Sequence, residues 1–79
     1  MDRFEVKEIL MDEGFECQHH TCFLKGNTWV ETEDIRTKEG NIARVRIMQN
    51  KGGKSMRAFR AKSASQVKEA LRKFEEGVA

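Results

Sequence analysis

Three short turn signals constrain this chain more than anything else in it. Gly26-Asn27, Glu39-Gly40-Asn41 and Lys51-Gly52-Gly53 punctuate a stretch in which apolar and polar residues alternate. Turns this short leave no room for a crossover, so the runs between them must be antiparallel neighbours. Those runs are Phe15 to Lys25, Thr28 to Lys38, Ile42 to Asn50 and Lys54 to Lys62. On either side the alternation gives way to a helical period. Asp2 caps the first helix with Glu5 completing a box, Val6, Ile9, Leu10 and Glu13 keep the spacing with Phe4 behind them, and Gly14 suits a left-handed stop. Ser63 or Ser65 caps the last helix, whose stripe is Val67, Ala70, Leu71, Phe74 and Val78, with Gly77 as its end. The expected fold is α+β in the order α-β-β-β-β-α. It is a four-stranded antiparallel meander with the N- and C-terminal helices packed on one face, leaving the other open.

At 79 residues without proline or a low-complexity tract, the expectation is a single domain over 1–79, near the size at which one core suffices. Hydrophobic residues are 38% and charged residues 35%, which predicts modest stability that self-association would reinforce. No apolar run reaches membrane-spanning length, and the acidic N-terminal stretch has the wrong charge for a targeting peptide. A cytoplasmic location and no membrane partner follow as expectations. Cys17 and Cys22 on one extended strand would lie about 16 Å apart, too far for a disulfide, so both are expected as free thiols.

The net charge of +2 conceals strong segregation. Between Arg36 and Lys62 there are nine basic residues and one acid, Glu39, whereas residues 1–35 hold nine acids and three bases. Such polarisation implies an anionic partner or two regions that neutralise each other. Alternation sends Ala43, Val45 and Ile47 to one side of the third strand and Arg44, Arg46 and Met48 to the other. Phe59 and Ala61 need burial, which turns Met56, Ala58 and Arg60 outward. A three-residue Lys51-Gly52-Gly53 loop then sets Val45 opposite Phe59, Met48 opposite Met56, and Arg44 opposite Arg60. Facing arginines are destabilising unless something negative lies between them.

Two functional readings follow. In the first, the chain is a small non-enzymatic module that binds DNA or RNA through its basic sheet over residues 42–62. Arg44, Arg46 and Arg60 carry that surface, with Lys51, Lys54, Arg57 and Lys62 adding charge. In the second, Glu31, Glu33 and Asp34 of the adjacent strand pair with the arginines. The protein is then an interaction module or homodimer that uses an open sheet edge or the Trp29 face; an acidic protein partner would instead fit the same basic surface as nucleic acid. Arg44-Val45-Arg46, the Lys51-Gly52-Gly53 turn, Phe59 and the helix from Ser65 to Phe74 resemble the arm-binding modules of tyrosine recombinases over residues 41–76. That resemblance implies a sheet with a basic outer face followed by one helix. The leading helix and first strand depart from it.

Cys17-Gln18-His19-His20-Thr21-Cys22 offers four zinc-type ligands, but on a strand Cys17 and His19 face one side while His20 and Cys22 face the other. No metal, cofactor or catalytic group is expected there. If Lys25 pairs with Thr28, His20 falls opposite Glu33 and His19 opposite Asp34, which favours charged imidazoles and predicts stability falling as pH rises past neutral. Trp29 shares a face with Leu24, and Phe23 shares the other with Val30. One pair must turn away from the helices, and a tryptophan covering the end of the core is the expectation.

Overall fold

The structure is a computed structural model that describes residues 1–49 and 56–78. Its first helix, α1 (Arg3–Asp12), starts as the sequence implies. The Asp2 carboxylate accepts the Glu5 N–H at 3.0 Å, and the Glu5 side chain accepts the Asp2 N–H at 3.3 Å. Val6, Ile9 and Leu10 are its buried face. Gly14, at φ +92°, reverses the chain so that the Phe15 N–H reaches the Leu10 carbonyl at 3.0 Å.

Five strands follow: β1 (Glu16–His19), β2 (Cys22–Lys25), β3 (Thr28–Thr37), β4 (Gly40–Gln49) and β5 (Met56–Arg60). They form one antiparallel sheet in the order β1-β2-β3-β4-β5, and α2 (Ala64–Val78) closes the chain. The architecture is α+β with a five-stranded meander, one strand more than expected. The single run from Phe15 to Lys25 is in fact two strands that turn at His20 and Thr21. Burial explains the fold-back. Phe15 and Phe23 are 3% and 0% exposed, yet eight extended residues would separate them by about 26 Å, too far to share one small core. The turn carries no glycine, proline or asparagine; Thr32 of β3 holds it by donating its N–H to the Thr21 carbonyl at 2.8 Å.

Other boundaries follow local chemistry. The β2–β3 turn is two residues, Gly26 and Asn27, with Lys25 opposite Thr28 as expected and Gly26 at φ +58°. The β3–β4 turn is tighter than Glu39-Gly40-Asn41 suggested. Thr37 pairs with Gly40, and the Thr37 hydroxyl donates to the Gly40 carbonyl at 2.7 Å while accepting the Glu39 N–H. Ser63, not Ser65, caps α2 by accepting the Gln66 N–H at 3.2 Å, and Gln66 Oε1 accepts the Lys62 N–H. Gly77 lies inside α2, because its backbone does not enter the left-handed region that ends a helix. The Lys51-Gly52-Gly53 turn and the limits expected at Asn50 and Lys54 fall outside the described residues.

Both helices pack on the sheet face that carries Phe23, Val30, Ala43, Val45 and Ile47. Val67, Ala70, Leu71 and Phe74 of α2 complete a single buried cluster with the α1 residues. Where β5 ends, Met1 extends the hydrogen bonding. Its amino group donates to the Ala61 carbonyl at 3.2 Å, its carbonyl accepts the Ala43 N–H at 2.8 Å, and the Ala61 N–H reaches the Ala43 carbonyl. Asp34 faces this same side, where its Oδ1 accepts the Arg3 N–H at 2.9 Å. That leaves the opposite face of β2 to β5 uncovered. Among the described residues, no helix is long and apolar enough to cross a membrane.

Candidate nucleic-acid interface

Strand parity builds the open face in rows. Leu24, Trp29, Met48 and Met56 are successive cross-strand partners in the first row. Cys22, Glu31, Arg46 and Ala58 make the second, and Glu33, Arg44 and Arg60 the third. The β4–β5 register sets Val45 opposite Phe59, Met48 opposite Met56 and Arg44 opposite Arg60, as the sequence predicted. Trp29 is half-buried on this face, not over the end of the core, because Phe23 and Val30 (both 0% exposed) fill the helix side.

The β3–β4 register decides how the charges meet. Arg46 lies opposite Glu31, with guanidinium and carboxylate 3.2 Å apart, and the other Glu31 oxygen accepts the Trp29 indole N–H at 3.0 Å. Glu31 thus anchors two outer side chains. Arg44 lies opposite Glu33 at a looser 3.8 Å, with about half of each side chain exposed. Asp34, the third acid expected to neutralise the arginines, is across from Ala43 and bonded to α1. These partners were within reach of the sequence. Had the β3–β4 turn been placed at Lys38-Glu39, the pairs Glu31 with Arg46 and Glu33 with Arg44 would have followed.

The expected basic residues separate accordingly. Arg44, Arg46 and Arg60 do come together on the open face. Arg60 is exposed and, among the described residues, has no carboxylate within ion-pair distance. A shallow depression lined by Ile35, Arg44, Ala58, Phe59 and Arg60 opens between the two facing arginines. Arg57 has the other parity, opposite Ile47, and lines a groove toward α2 with Phe59, Gln66, Ala70 and Lys73. Lys62 lies exposed beyond β5, with its backbone committed to the α2 cap. Lys51 and Lys54 lie outside the described residues. The exposed side of α2 is self-compensated: Arg72 contacts Glu69 and Glu76 at 2.8 Å each, and Glu76 first, then Glu69, raise its pKa above the ordinary range.

The Cys-His segment is no longer one strand. Cys17 pairs with Phe23, and His19 with Cys22 across an irregularity in the ladder. Both thiols are free, although the reasoning from one extended strand does not apply; Cys17 Sγ donates to the His19 carbonyl at 3.2 Å. Among the described residues, no group of three or more His, Cys, Asp or Glu could hold a metal ion. The β2–β3 pairing ends at Cys22 and Glu31, so His20 does not meet Glu33, nor His19 Asp34. Instead the two imidazole rings lie 4.0 Å apart. His20 is held below the ordinary imidazole range by His19, then by slight desolvation, then by Arg3 and Lys7. This reverses the expected direction.

Compared with known proteins, the chain matches no family model, no curated protein and no solved structure. The likeness to recombinase arm-binding modules therefore rests on the basic sheet and following helix alone, and the five strands and leading helix depart from it.

Proposed function

We propose that the protein binds a nucleic-acid backbone on the open face of its sheet, with Arg44 and Arg60 as the central pair. The observation that carries this is the unequal charge count at one spot. Arg44 and Arg60 lie opposite each other across β4 and β5, and one loosely placed carboxylate, Glu33, reaches Arg44 alone. Such a pair gains from an additional anion, and a phosphate bridging it displaces no strong contact. Arg46 belongs to the same face but is tied to Glu31, so it orients the site more than it attracts the ligand. The mechanism is phosphate neutralisation without chemistry, and affinity falls steeply with salt.

The test is titration of a short oligonucleotide at low salt, followed by amide NMR shifts and fluorescence anisotropy. Shifts centred on Arg44, Ala58 and Arg60 are expected. Arg60→Ala should weaken binding several-fold and reduce the slope of log affinity against log salt by about one. Unmoved Arg44 and Arg60 amides at saturating oligonucleotide would refute the proposal.

A second reading, an acidic protein partner on the same face, draws support from Leu24, Trp29 and Met56 beside the arginines, in a row whose fourth member, Met48, is buried. Met56 is 60% exposed. Backbone phosphates have no use for Met56, whereas an acidic segment with apolar side chains would cover it. Met56→Asp separates the two: binding of an alternating Glu-Leu peptide lost while oligonucleotide affinity is kept favours the protein partner.

A further inference from the structure

The face of α1 turned away from the core has its own pattern. Phe4 is 63% exposed and Met11 48%. Seven residues apart, they stand one above the other, opposite the buried Val6, Ile9 and Leu10. At about 100° per residue, Arg3 and Lys7 fall on one side of the Phe4–Met11 line, and Glu8 and Asp12 on the other. Phe4, Lys7, Glu8, Met11 and Asp12 line a common shallow groove. Part of the Phe4 ring is already covered by the Arg3 guanidinium, 4.9 Å from its centroid.

An apolar line with a basic flank and an acidic flank is complementary to itself. A two-fold rotation about an axis parallel to the helix sets the basic flank of one copy against the acidic flank of the other. Antiparallel pairing would instead place each flank against its like. We propose that the protein self-associates through α1, two copies packing this helix side by side in parallel. Phe4 and Met11 each meet their own symmetry mates, and Lys7 of either copy faces Glu8 of the other. The contact is confined to ten residues of helix, a length of about 15 Å, so the association is of the weak, transient kind. It uses the side of the molecule opposite Arg44, Arg46 and Arg60. The dimer therefore presents its two open sheet faces on opposite outer sides, and each stays free for an anionic ligand.

Sedimentation equilibrium of the full chain from micromolar to millimolar concentration tests this. The average mass should rise from monomer toward dimer, and added salt should weaken the association because the flanks attract. Met11→Glu should abolish it without changing the circular dichroism spectrum, since Met11 is outside the core. Lys7→Glu cancels the charge of the basic flank, sets a carboxylate against Glu8 of the other copy, and should weaken association by about tenfold or more, while the exchange Lys7→Glu with Glu8→Lys should restore it. A monomer at every concentration, a dimer strengthened by salt, or a folded exchange variant that fails to recover would each overturn the proposal.

Discussion

Strand β4 is shared by two strand pairs that use it in opposite ways. Toward β3, ten residue pairs run from Thr28 with Gln49 to Thr37 with Gly40, and each outward arginine meets a glutamate. Toward β5, five pairs are formed among the described residues; Arg44 meets Arg60 and Arg46 meets the small, neutral Ala58. The first pair is long and internally compensated, as expected of a scaffold. The second lies at the sheet edge and, among the described residues, carries positive charge in excess of its acids. Edge strands often carry charge to prevent unwanted pairing, and β5 does so with Arg57 and Arg60. Only Arg60 adds that charge to an arginine already on the open face.

The largest expected effect tests whether the two pairs are separate units at all. Ile47 is 0% exposed and lies between Val30 and Arg57. Ile47→Ala should cost about 2–5 kcal/mol, read from urea unfolding. Because β4 contributes Ala43, Val45 and Ile47 to the only buried cluster among the described residues, tryptophan fluorescence and β5 amide signals should shift together. If β5 melts first, the pairs differ in stability as well as charge.

Charge reversal should then have opposite signs on the two sides of β4. Glu31→Lys removes the partner of Arg46 and the acceptor of the Trp29 indole, and sets a cation opposite an arginine. A loss of about 1–2 kcal/mol is expected, discounted for the partial exposure of the ion pair. Arg60→Glu instead gives Arg44 a second carboxylate and should stabilise the fold by about 0.5 kcal/mol while abolishing oligonucleotide binding. Thermal melts of both variants check this. If Arg60→Glu destabilises, the two arginines are already accommodated and no anion is called for.

How far the sequence spoke for this arrangement differed between the same two regions. Phe59 and Ala61 had to be buried, which fixed the parity of β5 and with it the Arg44–Arg60 pair. The capping box at Asp2 and Glu5 and the stop at Gly14 were equally legible, because each is a local hydrogen-bond or backbone requirement. The turn at His20 and Thr21 was not. It contains no turn former, and what holds it is Thr32 of β3, eleven residues further along the chain. Trp29 was hidden for a similar reason. Its face was decided by Phe23 and Val30 competing for the core, a tertiary choice that alternation alone leaves open.

That unseen turn also sets the smallest effect, and its sign. With one long strand, His20 would face Glu33, favour the charged imidazole and add stability below neutral pH. In the hairpin it faces His19, Arg3 and Lys7, and its pKa is lowered. The unfolded chain then binds a proton more readily than the folded one below the ordinary imidazole range. Stability should therefore be complete above that range and decline as pH falls from about 7 to about 5, before most carboxylates titrate. The decline is small because His20 is exposed, and His20→Asn should flatten it, as measured by urea unfolding at several pH values. A profile that instead improves on acidification would put His20 back beside an acid, and would require β1 and β2 to be the single strand that the burial of Phe15 and Phe23 rules against.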